Sequence, residues 1–350
     1  MKKILDNVVI IRLLLIVLLV LFHAFAIYNG AWEMPLGITS VKPYWFIASI
    51  SYSFMLESFV FISGYVFGYQ TRVKYSSGMP LNSCLLKKAK RLLIPSIVFS
   101  ILYIIFFWDI TEYSVLEWVY HIINGVGHMW FLPMLFICFF MMCITEKVKL
   151  SPRVAIILAA IASLFSLGPL GNLPFRLSHA MYYFIFFAIG FYIQKYDMLT
   201  KRFVRFKHIF LMLVLYVTFF LTYHLVLERY IIINQDDLTF SSRVLYALIV
   251  RVLKIFQAFS GLIATFLLVD YLLKRDKIKS NGLMLRLSGY CFGVYIFQQF
   301  ILMWCVKSPW VINTLGSYAF PWVAFVVALV LSLLCTHVLL KTRVGRFLVG

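Results

Sequence analysis

Residues 8–28 read VVIIRLLLIVLLVLFHAFAIY, an apolar run in which Arg12 and His23 are the basic side chains. A helix needs about 20 apolar residues, at about 1.5 Å each, to cross the hydrocarbon core of a bilayer. The run therefore predicts a membrane-spanning helix. It follows Met1, Lys2 and Lys3 with no small-residue cleavage site, which favours a retained first span over a removed signal peptide.

The composition of the whole chain agrees with a membrane protein. Of 350 residues, 63% are apolar and 13% are charged, whereas soluble domains are about half apolar and about a quarter charged. This composition excludes an ordinary soluble globule. The net charge of +19 would suggest nucleic acid for a soluble protein. In a membrane protein, an excess of Lys and Arg is instead expected on the cytoplasmic side of the bilayer. We therefore expect a lipid bilayer, and no nucleic acid, as partner.

Further apolar runs predict nine more spans, and these lie at 44–69, 92–108, 129–145, 154–170, 179–196, 208–226, 255–273, 287–306 and 320–340. The stretch 241–254, with Arg243, Arg251 and Lys254, is predicted to be a separate amphipathic helix at the membrane interface. We find no repeat, long linker or large outer loop. The predicted fold is therefore an all-α polytopic bundle of about ten transmembrane helices, with residues 1–350 forming a single transmembrane domain.

The distribution of charge predicts the orientation. If the N-terminus lies inside, most of the 32 Lys and Arg residues fall in inner segments, among them Lys2, Lys3, Lys201, Arg202 and Arg205. The outer loops then carry acidic residues: Glu33, Asp109, Glu112, Glu117, Glu228, Asp236 and Asp237. The positive-inside rule therefore predicts that both termini are cytoplasmic.

Ionisable groups at bilayer depth are costly, and Arg12, His23 and Glu57 are therefore candidates for function. Arg12 and His23 are eleven residues apart, which places them on one helix face about 16 Å apart along the axis. An arginine near the inner mouth suits phosphate, and a deeper histidine can take a proton from a hydroxyl. The alternative is that Arg12 reaches lipid headgroups and His23 bonds a neighbouring helix.

Other polar groups in the predicted spans have less specific interpretations. Glu57 either pairs with Arg12 or His23, binds an acceptor, or is protonated and structural. His128, Trp130 and Gln298 lie in or near spans, where each is individually more typical of a structural group. The six cysteines form no CxxC motif and mostly lie in apolar runs, so we expect buried thiols, with neither disulfides nor a metal site.

Several phrases, taken together and in order, resemble the acyltransferase-3 family of membrane proteins, and especially its exopolysaccharide and lipopolysaccharide O-acetyl- and O-succinyltransferases. They are Arg12 and His23 in the first span; Phe59-Val60-Phe61-Ile62-Ser63-Gly64-Tyr65 in the second; Lys88 and Arg91 before Pro95; His128, Trp130, Phe131 and Leu132; Phe186, Phe187 and Gly190; and Gly293, Val294 and Tyr295. The likeness covers most of the chain.

The resemblance implies a multi-pass acyltransferase of the bacterial inner membrane that uses acyl-CoA as donor substrate, with acetyl-CoA as the default, succinyl next, and no bound cofactor. Arg12, Lys88 and Arg91 would hold the coenzyme phosphates, and His23 would act as general base or carry the acyl group. Arg12 and Glu57 are further catalytic candidates. The remaining substrate or structural candidates are Ser63, His128, Trp130, Tyr295 and Gln298. The acceptor would be a surface polysaccharide or its lipid-linked precursor.

Two residues depart from the pattern of the family. Gln298 stands where the ninth-span phrase usually ends in histidine, and glutamine cannot act as a base at neutral pH. Lys88 replaces the first arginine of a basic pair, which keeps the charge but loses the planar fork.

Two other functions stay open from the sequence: a transporter or flippase of a sugar-linked substrate, and a surface-glycan polymerase. The sequence names neither the acyl group, the sugar, the membrane face of transfer nor the oligomeric state.

Overall fold

The computed structural model describes residues 6–74, 80–109, 111, 113–166, 173–198, 206–227 and 239–350. These residues form helices and short helical turns, with no β-strand among them. The helices are α1 (Asp6–Phe25), α2 (Lys42–Tyr52), α3 (Met55–Lys74), α4 (Leu81–Phe107), α5 (Val115–Asn124), α6 (Phe131–Lys147), α7 (Pro152–Phe165), α8 (Leu177–Lys195), α9 (Phe206–Leu221), α10 (Phe240–Lys274), α11 (Gly282–Val306), α12 (Pro309–Leu339) and α13 (Arg343–Val349).

Within the described ranges, nine helical stretches are long and apolar enough to cross a membrane. They correspond to every predicted span except the fifth. At the fifth, α7 is an apolar helix of 14 residues, and the predicted end of that span, 167–170, lies outside the described residues. The predicted all-α polytopic fold is confirmed, and the chain is a multi-pass membrane protein.

The structure differs from the predicted spans in three places. The second span is two helices, α2 and α3, separated by a turn at residues 53–54. The separate interfacial helix expected at 241–254 is wrong, because this stretch is the first part of the 35-residue helix α10. The Thr239 side chain caps the start of α10, and no proline interrupts it. In α12, Gly316 has a φ of +61° and breaks the helix before the predicted start of the tenth span.

Part of the predicted charge pattern lies outside the described residues. This part comprises the inner residues Lys2, Lys3, Lys201, Arg202 and Arg205, and the outer residues Glu112, Glu228, Asp236 and Asp237. The cytoplasmic placement of both termini stays a prediction.

The chain folds into two compact units. The first comprises Met1–Met55, Leu93–Phe131 and Ile278–Gly350, and the second comprises Leu56–Leu92 and Leu132–Lys277. In the first unit, α11 packs along both α1 and α12. That residues 1–350 act as one domain stays a prediction.

Glycines bring α3 and α8 into close contact in the second unit. A Cβ atom added to Gly64 or Gly68 would overlap the carbonyl oxygen of Phe187 or Phe191, and one added to Gly190 would overlap that of Phe61. Small residues spaced four apart let membrane helices approach at backbone distance, and van der Waals packing then holds them together. The glycines of two family-like phrases therefore have a packing role.

We expect Gly64→Ala to destabilise the protein by about 1–3 kcal/mol, because the new methyl group must push α3 and α8 apart. The thermal unfolding midpoint of the purified protein in detergent measures this effect. Gly289→Ala is the matched control, since a Cβ atom at this helical position meets no atom within 4 Å. Equal midpoints for the two variants would contradict the packing role.

Candidate functional site

The first unit brings Arg12 and His23 to the seam between α1 and α11. The carbonyl oxygen of Arg12 is 3.9 Å from the Cys291 sulfur, and His23 Nδ1 is 3.0 Å from Gln298 Oε1. The two helices run parallel, because the earlier residue of α1 contacts the earlier residue of α11 and the later residue contacts the later one. Both basic residues of the first span therefore lie along one helix–helix contact.

The hydrogen bond between His23 and Gln298 fixes the chemistry of the imidazole ring. An amide oxygen only accepts hydrogen bonds, so His23 Nδ1 carries the proton and donates it to Gln298 Oε1. In the neutral ring this leaves the lone pair on Nε2. Gln298 is fully buried, with 0% of its surface exposed, so its position is set by packing. Gln298 therefore orients His23 and selects the tautomer whose Nε2 is the base.

Buried polar atoms beside this hydrogen bond lack partners. Within the described residues, Gln298 Nε2 and Gln299 Oε1 form no hydrogen bond, although both side chains are buried. Gln299 Nε2 lies 3.4 Å from the hydroxyl of Tyr103. An unsatisfied buried polar group costs about 1–3 kcal/mol, so such atoms are typical of a place where a ligand supplies the missing partner.

A second imidazole lies close to the first. The ring centroids of His23 and His128 are 6.4 Å apart. His128 Nε2 donates to the carbonyl oxygen of Ile296, at 3.0 Å, and the Tyr295 hydroxyl donates to the carbonyl oxygen of His128, at 2.5 Å. These bonds hold the turn before α6 against α11. His128, which Tyr295 holds in place, thus lies beside His23.

Trp32 stacks on the ring of His23. The two ring centroids are 5.5 Å apart and the planes are inclined by 12°. The segment that carries Trp32 is held in place, since its backbone N–H donates to the Ala26 carbonyl and Thr39 N donates to Ser317 Oγ at 2.8 Å. Trp32 is a site residue that was not among the candidates predicted from the sequence. The signal available was an aromatic residue just beyond the end of the first span.

The remaining predicted site residues, apart from Trp130, lie in the second unit. Glu57 is buried and accepts a hydrogen bond from Tyr182 at 3.1 Å. Ser63 donates to the Phe59 carbonyl of its own helix at 2.8 Å. Lys88 Nζ lies 4.0 Å from the centroid of the Phe139 ring, and Arg91 is exposed. Trp130, in the first unit, is half-buried beside Phe131.

Comparison with known families decides the class of this protein. The sequence profile of a family described as "Acyltransferase domain" matches residues 5–341, nearly the whole chain. The chain belongs to the acyltransferase-3 family. The match to the acyltransferase-3 family covers most of both units and every candidate site residue. No curated protein sequence and no solved structure matches the chain.

Membership of the acyltransferase-3 family makes this protein a membrane acyltransferase. Acyl transfer requires a nucleophile to lose a proton while it attacks the acyl carbon, and a positioned histidine is the commonest base for this step. In this acyltransferase, His23 is held in the required tautomer and is bordered by aromatic and amide groups. The seam between α1 and α11 is therefore its candidate active site.

Proposed function

We propose that this acyltransferase moves an acyl group, acetyl by default, from acyl-CoA to a hydroxyl of a bacterial surface polysaccharide or its lipid-linked precursor. The observation that carries the proposal is the hydrogen bond from His23 Nδ1 to the buried Gln298 amide. It leaves a neutral, oriented base inside a membrane-spanning helix. On the predicted orientation, the enzyme resides in the inner membrane with both termini in the cytoplasm.

In the proposed reaction, the acyl group moves directly from the sulfur of coenzyme A to the hydroxyl oxygen of the acceptor. His23 Nε2 removes the proton of the acceptor hydroxyl while its oxygen attacks the thioester carbonyl carbon. The carbon–sulfur bond of the tetrahedral intermediate then breaks, and the imidazolium returns the proton to the departing coenzyme thiolate. The products are an ester on the acceptor and free coenzyme A, so atoms and protons balance.

The donor would be held through its phosphates by basic residues near the predicted inner ends of the spans. The exposed guanidinium of Arg91 can grip a phosphate with two parallel hydrogen bonds. Lys88, over the Phe139 ring, supplies a further charge. Arg12 lies about 16 Å from His23 along α1, which suits a donor that enters from the cytoplasmic side.

Trp32 would serve as the platform for the acceptor sugar, because its indole lies against the proposed base. We expect Trp32→Ala to raise the KM for the acceptor about two- to tenfold, which corresponds to about 0.5–1.5 kcal/mol for an aromatic contact. Steady-state kinetics with a purified glycan measure this change. Trp32→Phe should restore most of the affinity.

Trp310→Ala is the control for the Trp32 variant, since Trp310 is exposed at the start of α12. Hydrolysis of acyl-CoA without a glycan should not change in either variant. An unchanged acceptor KM in Trp32→Ala would contradict the platform role.

The proposed function is tested by proton NMR of the surface polysaccharide from a deletion strain and from the same strain with the gene restored. We expect ester-linked acyl signals to disappear in the deletion strain and to return on restoration, with the chain length of the polymer unchanged. Esters that persist while the polymer shortens would instead indicate a polymerase. Esters that persist while the polymer is lost from the surface would indicate a transporter.

A further inference from the structure

The second unit contains a group of charged and aromatic side chains that the proposed reaction does not use. Its members, here called the Arg251 cluster, are Glu57, Tyr182, Tyr223, Arg251 and Lys254. The Tyr182 hydroxyl donates to Glu57 Oε1 at 3.1 Å, and the Arg251 guanidinium carbon lies 4.3 Å from the Tyr182 ring centroid. Lys254 Nζ lies 4.7 Å from the Tyr223 ring centroid. These residues come from four membrane-spanning stretches, and Tyr223 lies in the π-helical turn at the end of one of them.

The charges of the Arg251 cluster are not fully matched. Arg251 and Lys254 lie one turn apart on α10 and both act electrostatically on the Glu57 carboxyl group, so two cationic side chains face a single carboxyl group. In the part of the chain that the structure describes, neither cation forms an ion pair within 4 Å. Charged groups at membrane depth are costly, and a surplus cation there is typical of a site for an anion.

Two atoms of the Arg251 cluster also lack hydrogen-bond partners within the described residues. Glu57 Oε2 is one, on a side chain with 8% of its surface exposed, and Arg251 Nε is the other. One is an acceptor and the other is a donor. A ligand that satisfies both must carry an acceptor, such as an anionic oxygen, and a donor, such as a hydroxyl group.

The aromatic contacts position the two cations and leave their N–H groups able to donate hydrogen bonds to a ligand. A guanidinium group stacked on a tyrosine ring keeps its N–H groups in the plane of the fork, where they can bind phosphate oxygens. The π-helical turn Thr222–Leu227 places Tyr223 under Lys254, and such turns are frequent at functional sites.

The surface next to Arg251 is apolar and exposed. Leu248 and Val252 lie one turn apart on the face of α10 that borders Arg251, and both are exposed. In a membrane-spanning helix such residues contact lipid chains. A ligand whose anionic group reaches Arg251 from this side therefore brings a hydrocarbon chain along Leu248 and Val252.

We propose that the Arg251 cluster binds the phosphate group of a lipid whose headgroup also carries hydroxyls. Arg251 and Lys254 donate to the phosphate oxygens, and Glu57 Oε2 accepts a hydrogen bond from a headgroup hydroxyl. Two sources share this chemistry: a polyprenyl-linked sugar phosphate and a phospholipid of the bilayer. This site is additional to acyl transfer at His23 and does not depend on it.

The test measures lipid binding to the purified full-length protein in detergent by native mass spectrometry. The probes are decaprenyl phosphoryl glucose, decaprenyl phosphate, decaprenol, phosphatidylglycerol, phosphatidylmethanol and soluble glucose 1-phosphate. We expect decaprenyl phosphate to bind at least about tenfold more tightly than decaprenol, because charge-assisted hydrogen bonds supply the difference. Phosphatidylglycerol, which carries hydroxyls, should bind more tightly than phosphatidylmethanol.

The double variant Arg251→Gln/Lys254→Gln should lose about tenfold or more of its affinity for decaprenyl phosphate. Arg275→Gln is the matched control, because Arg275 stacks on Tyr271 at 4.7 Å near the other end of α10. Lys254→Gln alone removes only an exposed side chain, so it reports on binding if the double variant folds poorly. His23→Ala should bind decaprenyl phosphate like the unmodified protein.

Tighter binding of decaprenyl phosphoryl glucose than of phosphatidylglycerol supports the proposal and assigns the site to a polyprenyl carrier, whereas similar affinities support it and assign the site to bilayer phospholipid. Equal affinities of the variants and the unmodified protein overturn it, as does equal binding of decaprenol and its phosphate. Binding of glucose 1-phosphate as tightly as the lipids overturns the role of the hydrocarbon chain. Loss of acyl transfer in His23→Ala with intact lipid binding separates this proposal from the proposed reaction.

Discussion

Replacing His23 with alanine is expected to lower the rate constant of acyl transfer by about a hundredfold to ten-thousandfold. The variant loses the imidazole whose Nε2 is left as the base by the hydrogen bond from Nδ1 to Gln298, and general-base catalysis typically contributes an effect of this size. The measurement is single-turnover transfer from radiolabelled acetyl-CoA to the purified polysaccharide. The affinity for acetyl-CoA should stay within about twofold, because His23 acts on the acceptor.

The control for the His23 variant is His337→Ala. His337 is an exposed histidine on α12 that forms a hydrogen bond with Tyr290 at 2.8 Å. This variant shows whether loss of an imidazole elsewhere in the first unit also lowers the rate constant of acyl transfer. Transfer that continues at the normal rate in His23→Ala would exclude a base role for His23. A stable acyl-enzyme that survives denaturation and disappears in His23→Ala would instead indicate covalent relay through the histidine.

Gln298→Leu is expected to lower kcat by about tenfold to a hundredfold while the KM for acetyl-CoA changes little. Leucine keeps the buried volume but leaves His23 Nδ1 without its acceptor, so the ring loses both its orientation and its preferred tautomer. Groups that orient a functional histidine typically contribute effects of this order. Because Gln298 acts through His23, it is a positioning residue.

Rescue distinguishes positioning from simple packing. Gln298→His places a ring nitrogen near His23 and restores the residue usual in the family phrase, so it should recover most of the lost rate. The double variant His23→Ala/Gln298→Leu should be no slower than His23→Ala alone, since the second residue has nothing left to orient. If the two losses multiply in the double variant, Gln298 has a role of its own.

Sequence reasoning placed Arg12 and His23 together because both lie on one uninterrupted helix, whose period of 3.6 residues fixes their relative direction. It identified Gln298 as a departure from the family pattern but not as the partner of His23. These two residues are 275 positions apart, and their contact depends on how α1 packs on α11. Hydrophobic periodicity defines which residues are apolar and does not define which helices are neighbours.

The same limit applies to the second unit. Glu57 was recognised as an ionisable group within a span, but its partner Tyr182 is 125 positions away and is one of 21 tyrosines. Arg251 and Lys254 were used to predict an interfacial helix, since charges usually end a span. The cation–π contacts with Tyr182 and Tyr223 explain how α10 continues through them. Trp32 lies between helices, where no periodicity applies.

The uninterrupted length of α10 has a consequence for how the protein fits its membrane. Its 35 residues extend about 52 Å at about 1.5 Å each, whereas the hydrocarbon core is about 30 Å thick. Transmembrane helices seldom tilt beyond about 40°, and at that angle about 10 Å of α10 still stands clear of the hydrocarbon. Hydrophobic mismatch therefore sets how far Arg251 and Lys254 stand from the plane of the lipid phosphates. The acyl-chain length of the surrounding lipid becomes a control on what this helix can bind.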